Sequence, residues 1–134
     1  MQIAISYGLS LALFTAIDLA WLSIVGPLLY KPTLGDILVQ TLRVAPAIAF
    51  YALYPIGLVI FAIAPALKAG SVVIGMLYGA LFGAIAYATY DLTNYATLRN
   101  WTLTITIIDI AYGAAASALV SVATIHLVQY FSRA

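Results

Sequence analysis

Asp18, Asp91 and Asp109 each lie in an otherwise apolar run of this chain. An ionised side chain at the centre of a bilayer costs about 2.5–3.5 kcal/mol even on the mildest scale, so such residues mark functional sites by default. Carboxyls in that setting can act as general acid or base, or bind and release a proton. Two that lie close together share a proton, so one is neutral near pH 7. A second reading makes them glue for the helices, through hydrogen bonds to Tyr, Trp or Thr. Aromatic and polar residues near the acids complete a candidate pocket: Trp21, Tyr87, Tyr90, Asn94, Arg99 and Tyr112.

The elements that must position these groups follow from composition. The chain has 134 residues, 66% hydrophobic and 7% charged. Soluble domains carry roughly 25% charged residues, so a helical membrane protein is the matching class. With no cysteine, disulfides and thiolate metal sites are excluded. A net charge of +1 gives no electrostatic case for nucleic acid. No Lys or Arg precedes the first apolar run, which reads as a span and not as a cleavable signal.

Charge-free stretches set spans at about 2–25, 45–64, 71–94 and 101–126, each close to the ~20 residues a membrane helix needs. Backbone groups in lipid must pair internally, so the spans are helices. Short links at Pro65 to Gly70 and at Tyr95 to Asn100 favour antiparallel neighbours. The expected fold is an all-α integral membrane four-helix bundle, a single transmembrane domain over residues 1–134. The connection 26–43 holds Pro27, Pro32 and Gly35 with Lys31, Asp36 and Arg43, and is expected to lie along the interface. Asn100 is the expected N-cap of the last helix. Pro55 is expected to kink the second. Lys31, Arg43 and Arg99 on one side against Lys68 and Arg133 on the other lean towards a cytoplasmic 26–43 segment.

On this topology Asp18 lies roughly 10 Å and Asp109 roughly 12 Å below one membrane surface, by helix rise. Asp91 and Arg99 fall near the same surface, so all four converge on the 26–43 side. Gly75, Gly79, Gly83, Tyr87 and Asp91 recur every four residues and share one helix face, as do Asp109 and Gly113. Small residues at that spacing let helices approach closely, which turns Asp91 inward. Asp18 and Trp21 are echoed by Asp109 and Tyr112: Ile17-Asp18-Leu19-Ala20-Trp21 against Ile108-Asp109-Ile110-Ala111-Tyr112. Two antiparallel helices, each with an acid followed three residues later by an aromatic, suggest a two-sided pocket with aromatic walls. Asp91 with Arg99 can instead be an interfacial salt bridge that orders the turn between helices. His126 lies at the other end of the last helix and reads as an interfacial residue. Neither a metal nor an organic cofactor is expected: a single histidine supplies no bis-His haem.

At these residues the chain resembles a known family. The stretch Ala88-Thr89-Tyr90-Asp91-Leu92-Thr93-Asn94-Tyr95 continues through Arg99-Asn100-Trp101. With it go Asp18-Leu19-Ala20-Trp21-Leu22, Phe50-Tyr51-Ala52-Leu53-Tyr54, Gly79-Ala80-Leu81-Phe82-Gly83 and Asp109-Ile110-Ala111-Tyr112-Gly113. Together they resemble the small bacterial membrane proteins grouped as domain of unknown function 2177. The match runs along nearly the whole chain. Tyr112 departs from it, standing where Trp is expected. The resemblance implies a four-span bacterial protein of the inner membrane, without an activity, and an association with fatty-acid-modifying enzymes.

Three functions follow as expectations. The first is a lipid-modifying enzyme or its accessory, working on membrane lipids or beside a lipid-modifying partner. In it Asp91 or Asp109 acts as general acid/base and Arg99 holds a headgroup. The second is a small proton-coupled transporter acting as a homodimer, with Asp18 and Asp109 binding proton or cation in turn. The third is a non-catalytic scaffold in which the acids are glue.

Overall fold

The computed structural model, which describes residues 1–133, is built of helices joined by short connections and contains no strand among those residues. Four helices are long and apolar enough to cross a membrane: α1 (Gln2–Ile37), α2 (Val44–Ala69), α3 (Val72–Thr97) and α4 (Leu103–Arg133). They form the expected antiparallel bundle. Its burial pattern departs from that of a soluble protein. Large apolar side chains such as Ile3, Leu53, Leu81 and Ile107 point outward, while Ser6, Ser10, Ser117, Ser121 and Thr124 are buried. Lipid is as apolar as Leu and gives no reason to hide it, whereas a hydroxyl in lipid needs cover.

The tightest contact joins α3 to α4. A Cβ on Gly83 would strike the Gly113 carbonyl and stand 2.7 Å from the Ser117 Cβ. One on Gly79 would meet the Ser117 carbonyl at 2.9 Å, and one on Gly113 would run into the Tyr87 ring. The glycine stripe is thus a backbone-to-backbone seam, which carries Tyr87 and Asp91 to the bundle interior. α2 leans on α3 mainly through its second half, beyond Leu58. Its first half packs instead on α1, where Phe14 stacks on Tyr54 with ring centroids 4.5 Å apart.

Local chemistry explains the turns and corrects two expectations. Gly70 takes a left-handed conformation (φ +66) that few other residues adopt, and Ser71 then caps α3 by accepting from the Ile74 N–H. Asn100 does not cap α4. Thr102 does, accepting from the Ile105 N–H at 3.2 Å. Nor does the first helix stop near Val25. Gly26 to Tyr30 form a π-helical turn with Pro27 in its first turn, and the helical path continues to Ile37. Pro27 is tolerated because a proline near the start of a new turn forfeits little hydrogen bonding. The resulting helix would be roughly 54 Å long if straight, well beyond a ~30 Å hydrocarbon core. Its last part packs on the start of α4, where Leu34 joins Trp101 and Ile105 with Leu29 and Tyr30 around them.

In α2, Pro55 removes the donor for the Tyr51 carbonyl, and a π-helical turn follows at Val59–Ile63. One residue along, the Tyr7 hydroxyl of α1 donates to the Ala52 carbonyl at 2.9 Å. A neighbouring helix thus supplies hydrogen bonding where the helix's own ladder is weakened.

Candidate functional site

Asp18 comes from the middle of α1, on a stripe of every fourth residue that runs Ser6, Ser10, Phe14, Asp18 and is buried throughout. It is 6% exposed. Both its oxygens accept from phenols: Oδ2 from the Tyr51 hydroxyl of α2 at 2.5 Å, Oδ1 from the Tyr112 hydroxyl of α4 at 2.8 Å. A carboxylate accepting two phenolic O–H donors needs no proton of its own. Asp109, on α4, accepts from the Tyr30 hydroxyl at 2.5 Å through Oδ1. That hydroxyl in turn accepts from the Trp21 indole N–H at 3.1 Å.

The two acid–aromatic pairs seen in the sequence are therefore crossed in space. Tyr112, three residues after Asp109, serves Asp18. Trp21, three residues after Asp18, serves Asp109 through Tyr30. The two aromatic rings stack on each other, centroids 4.1 Å apart and planes 15° from parallel. Each helix thus braces the acid of the other.

Above these acids is a half-enclosed cavity of ≈ 950 Å³, predominantly apolar and aromatic. Asp18 and Asp109 are its acids, and Trp21, Tyr30, Tyr87 and Tyr90 contribute aromatic wall. α1 forms one side, where Asp18, Leu22, Gly26, Tyr30 and Leu34 recur every four residues and line it together with neighbours such as Trp21 and Lys31. Phe50 and Tyr54 of α2 stand opposite Ala86, Tyr87 and Tyr90 of α3, where the first half of α2 makes little contact with α3. Lys31, exposed, is the cation among the lining residues.

Other proposed site residues fall elsewhere. Tyr112 is buried and supports the wall through its stack and its bond to Asp18. Asp91 is 0% exposed and does not line the cavity. It stands behind the wall, and the α3–α4 seam, which sets Gly79 against Ser121, Gly83 against Ser117 and Tyr87 against Gly113, brings it opposite Asp109 at the next rung. Neither of its oxygens takes a hydrogen bond from a donor, so the expected bridge to Arg99 is not made. Arg99 is exposed in the α3–α4 connection and Asn94 is half-buried; neither lines the cavity. Asn94 contributes a backbone turn, its carbonyl accepting from the Leu98 N–H at 2.7 Å.

Sequence reasoning did not single out Tyr30, Lys31, Phe50, Tyr51 or Tyr54 as site residues. Two signals were available. The four-residue stripe of α1 runs through Asp18 and, read past Gly26, reaches Tyr30. Tyr51 and Tyr54 lie four and one residues before Pro55 on a run rich in aromatics. Among the described residues no group of three or more His, Cys, Asp or Glu is placed to hold a metal ion.

The arrangement offers two buried carboxyls, hydrogen-bonded by phenols, at the wall of a half-enclosed apolar and aromatic hollow. A search of curated proteins and of solved structures found no match to the chain. A family model does match, over residues 3–126: that of the predicted membrane proteins of domain of unknown function 2177. With nearly its whole length covered and four membrane-length helices in place, the chain belongs to this family of membrane proteins.

Proposed function

We propose that the protein is a bacterial inner-membrane protein that binds an amphiphile of the membrane, a lipid or fatty-acyl compound, and takes part in its modification. The observation that carries this reading is the cavity. Its volume of ≈ 950 Å³ is at the upper end of the range for small-molecule sites, and its wall is apolar with a few placed polar groups. An acyl chain suits the hollow. Asp18 and Asp109 meet the polar part that reaches them, as hydrogen-bond acceptors or as general acid and base. Lys31 suits an anionic headgroup at the lining, the role expected of Arg99, which is exposed and does not line the cavity.

A comparison of membrane lipids by mass spectrometry tests this. Cells lacking the protein are set against cells carrying wild type, Asp18→Asn, Asp109→Asn or Gly26→Phe. Gly26 lines the cavity, and a Cβ placed there meets no atom within 4 Å. A bulky side chain at that position therefore has open space at its Cβ and reduces the room in the hollow. A lipid species made only with wild type, and lost in all three variants, is the expected result. Identical profiles across all strains, together with wild type purified free of bound lipid, overturn the reading. Proton-coupled flux in liposomes under those conditions would establish transport in its place.

A further inference from the structure

The cavity does not explain Asp91. Its side chain is 0% exposed and both oxygens lack a donor. An acceptor-only carboxylate in such a place strands charge, at a cost that a membrane interior does not forgive. Among the described residues no cation pairs with it: both oxygens are without a partner, Arg99 is exposed and Lys31 lies on the cavity wall. The register of the α3–α4 seam, Gly83 on Ser117 and Tyr87 on Gly113, sets Asp91 opposite Asp109, whose Oδ1 is already occupied by the Tyr30 phenol. Two carboxylates side by side are both acceptors and have nothing to exchange. One proton between them turns one into a donor and gives each a hydrogen bond.

We propose that Asp91 and Asp109 form a proton-binding site, two carboxyls holding a single proton, which exchanges with the cavity through Asp109, the member of the pair on the cavity wall. Release leaves two carboxylates and sends the proton to an acceptor in the cavity; uptake from the cavity restores the pair. Asp91 touches nothing in the cavity and acts only through Asp109, as a positioning and proton-holding residue. The titratable groups around the pair are the phenol of Tyr30 from α1, which donates to Asp109, and those of Tyr87 and Tyr90 from α3 on the same cavity wall, with Asp18 and Lys31 of α1 also lining it. From α2, Tyr51 and Tyr54 face Asp18 instead. The site rests on the register of the seam and on the partnerless oxygens of Asp91, and stands whether or not the occupant of the cavity is a lipid.

The chain lends itself to a direct measurement. It contains four aspartates, Asp18, Asp36, Asp91 and Asp109, and no glutamate. Infrared spectra of purified protein at neutral pH, with and without aspartate labelled by carbon-13 at the side-chain carboxyl, report neutral carboxylic acids directly. The expected result is a label-sensitive neutral-acid band in wild type. It is lost in Asp91→Asn and in Asp109→Asn, and retained in Asp18→Asn. Absence of the band from wild type overturns the proposal, as does its survival in Asp109→Asn or its loss in Asp18→Asn. Where an Asn variant of the pair does not fold, Asp18→Asn and Asp36→Asn assign the band by elimination. A band that vanishes with either of those refutes the site. No substrate enters the measurement, so failure of the lipid reading and failure of the proton site are separable.

Discussion

Removing the phenol donors of Asp18 probes how the bundle tolerates an acid at its centre. Tyr51→Phe and Tyr112→Phe each delete one hydroxyl and leave the ring. The stack of Tyr112 on Trp21, 4.1 Å between centroids, is therefore kept. The hydroxyls donate to the two oxygens of a carboxyl that is 6% exposed. A hydrogen bond to a charged group contributes about 1.5–3 kcal/mol, against an average of about 0.6 kcal/mol for neutral pairs between membrane helices. Each single variant should lose about 1.5–3 kcal/mol, roughly a tenfold to hundredfold fall in the folding constant. The double variant leaves the carboxylate unpaired and should lose about 3–5 kcal/mol, the range for breaking a buried charged pair. Adding Asp18→Asn to the double variant should restore part of that loss, because a neutral amide strands no charge. Reversible unfolding in mixed micelles, followed by helical circular dichroism, reads all four states. Losses near 0.6 kcal/mol per phenol, with no recovery on adding Asp18→Asn, would refute the picture of an ionised Asp18 held by two donors.

The structure makes further predictions. Gly83→Ala should weaken the α3–α4 seam by about 1–3 kcal/mol, since the new methyl meets the Gly113 carbonyl and the Ser117 side chain and backbone cannot yield; the same unfolding assay measures it. Gly26→Leu should leave stability equal or higher by up to about 1 kcal/mol, because Gly26 is helical with open space beside it. It should also lower the amount of lipid that co-purifies, counted by native mass spectrometry. Thr102→Ala should cost about 0.5–2 kcal/mol by removing the cap of α4, whereas Asn100→Ala should be close to neutral in unfolding midpoint. Arg99→Gln should leave lipid co-purification unchanged while Lys31→Gln lowers it, because only Lys31 lines the cavity.

The amino-acid sequence by itself determined the class and topology of this protein. Length, the near absence of charge and the spacing of apolar runs demand four membrane helices, because lipid allows no unpaired backbone and water no such surface. Periodicity was enough to place Gly75, Gly79 and Gly83 on one packing face, and to turn Asp91 inward, because a helix repeats every 3.6 residues wherever it sits. The three acids stood out for the same reason: a charge in lipid is costly in any fold. Which acid faces the hollow and which is sealed behind it depends on how far the helices stand apart, and no local pattern encodes that. The crossing of Trp21 and Tyr112 onto each other's acids needs α1 and α4 in register. Tyr30 reaches Asp109 only because α1 runs on through a π-helical turn at Gly26, where composition alone favours an ending. Arg99 and Lys31 look alike on the chain, both in polar connections on one side of the bundle. Only the path of α1 along the cavity brings Lys31 to its wall and leaves Arg99 outside.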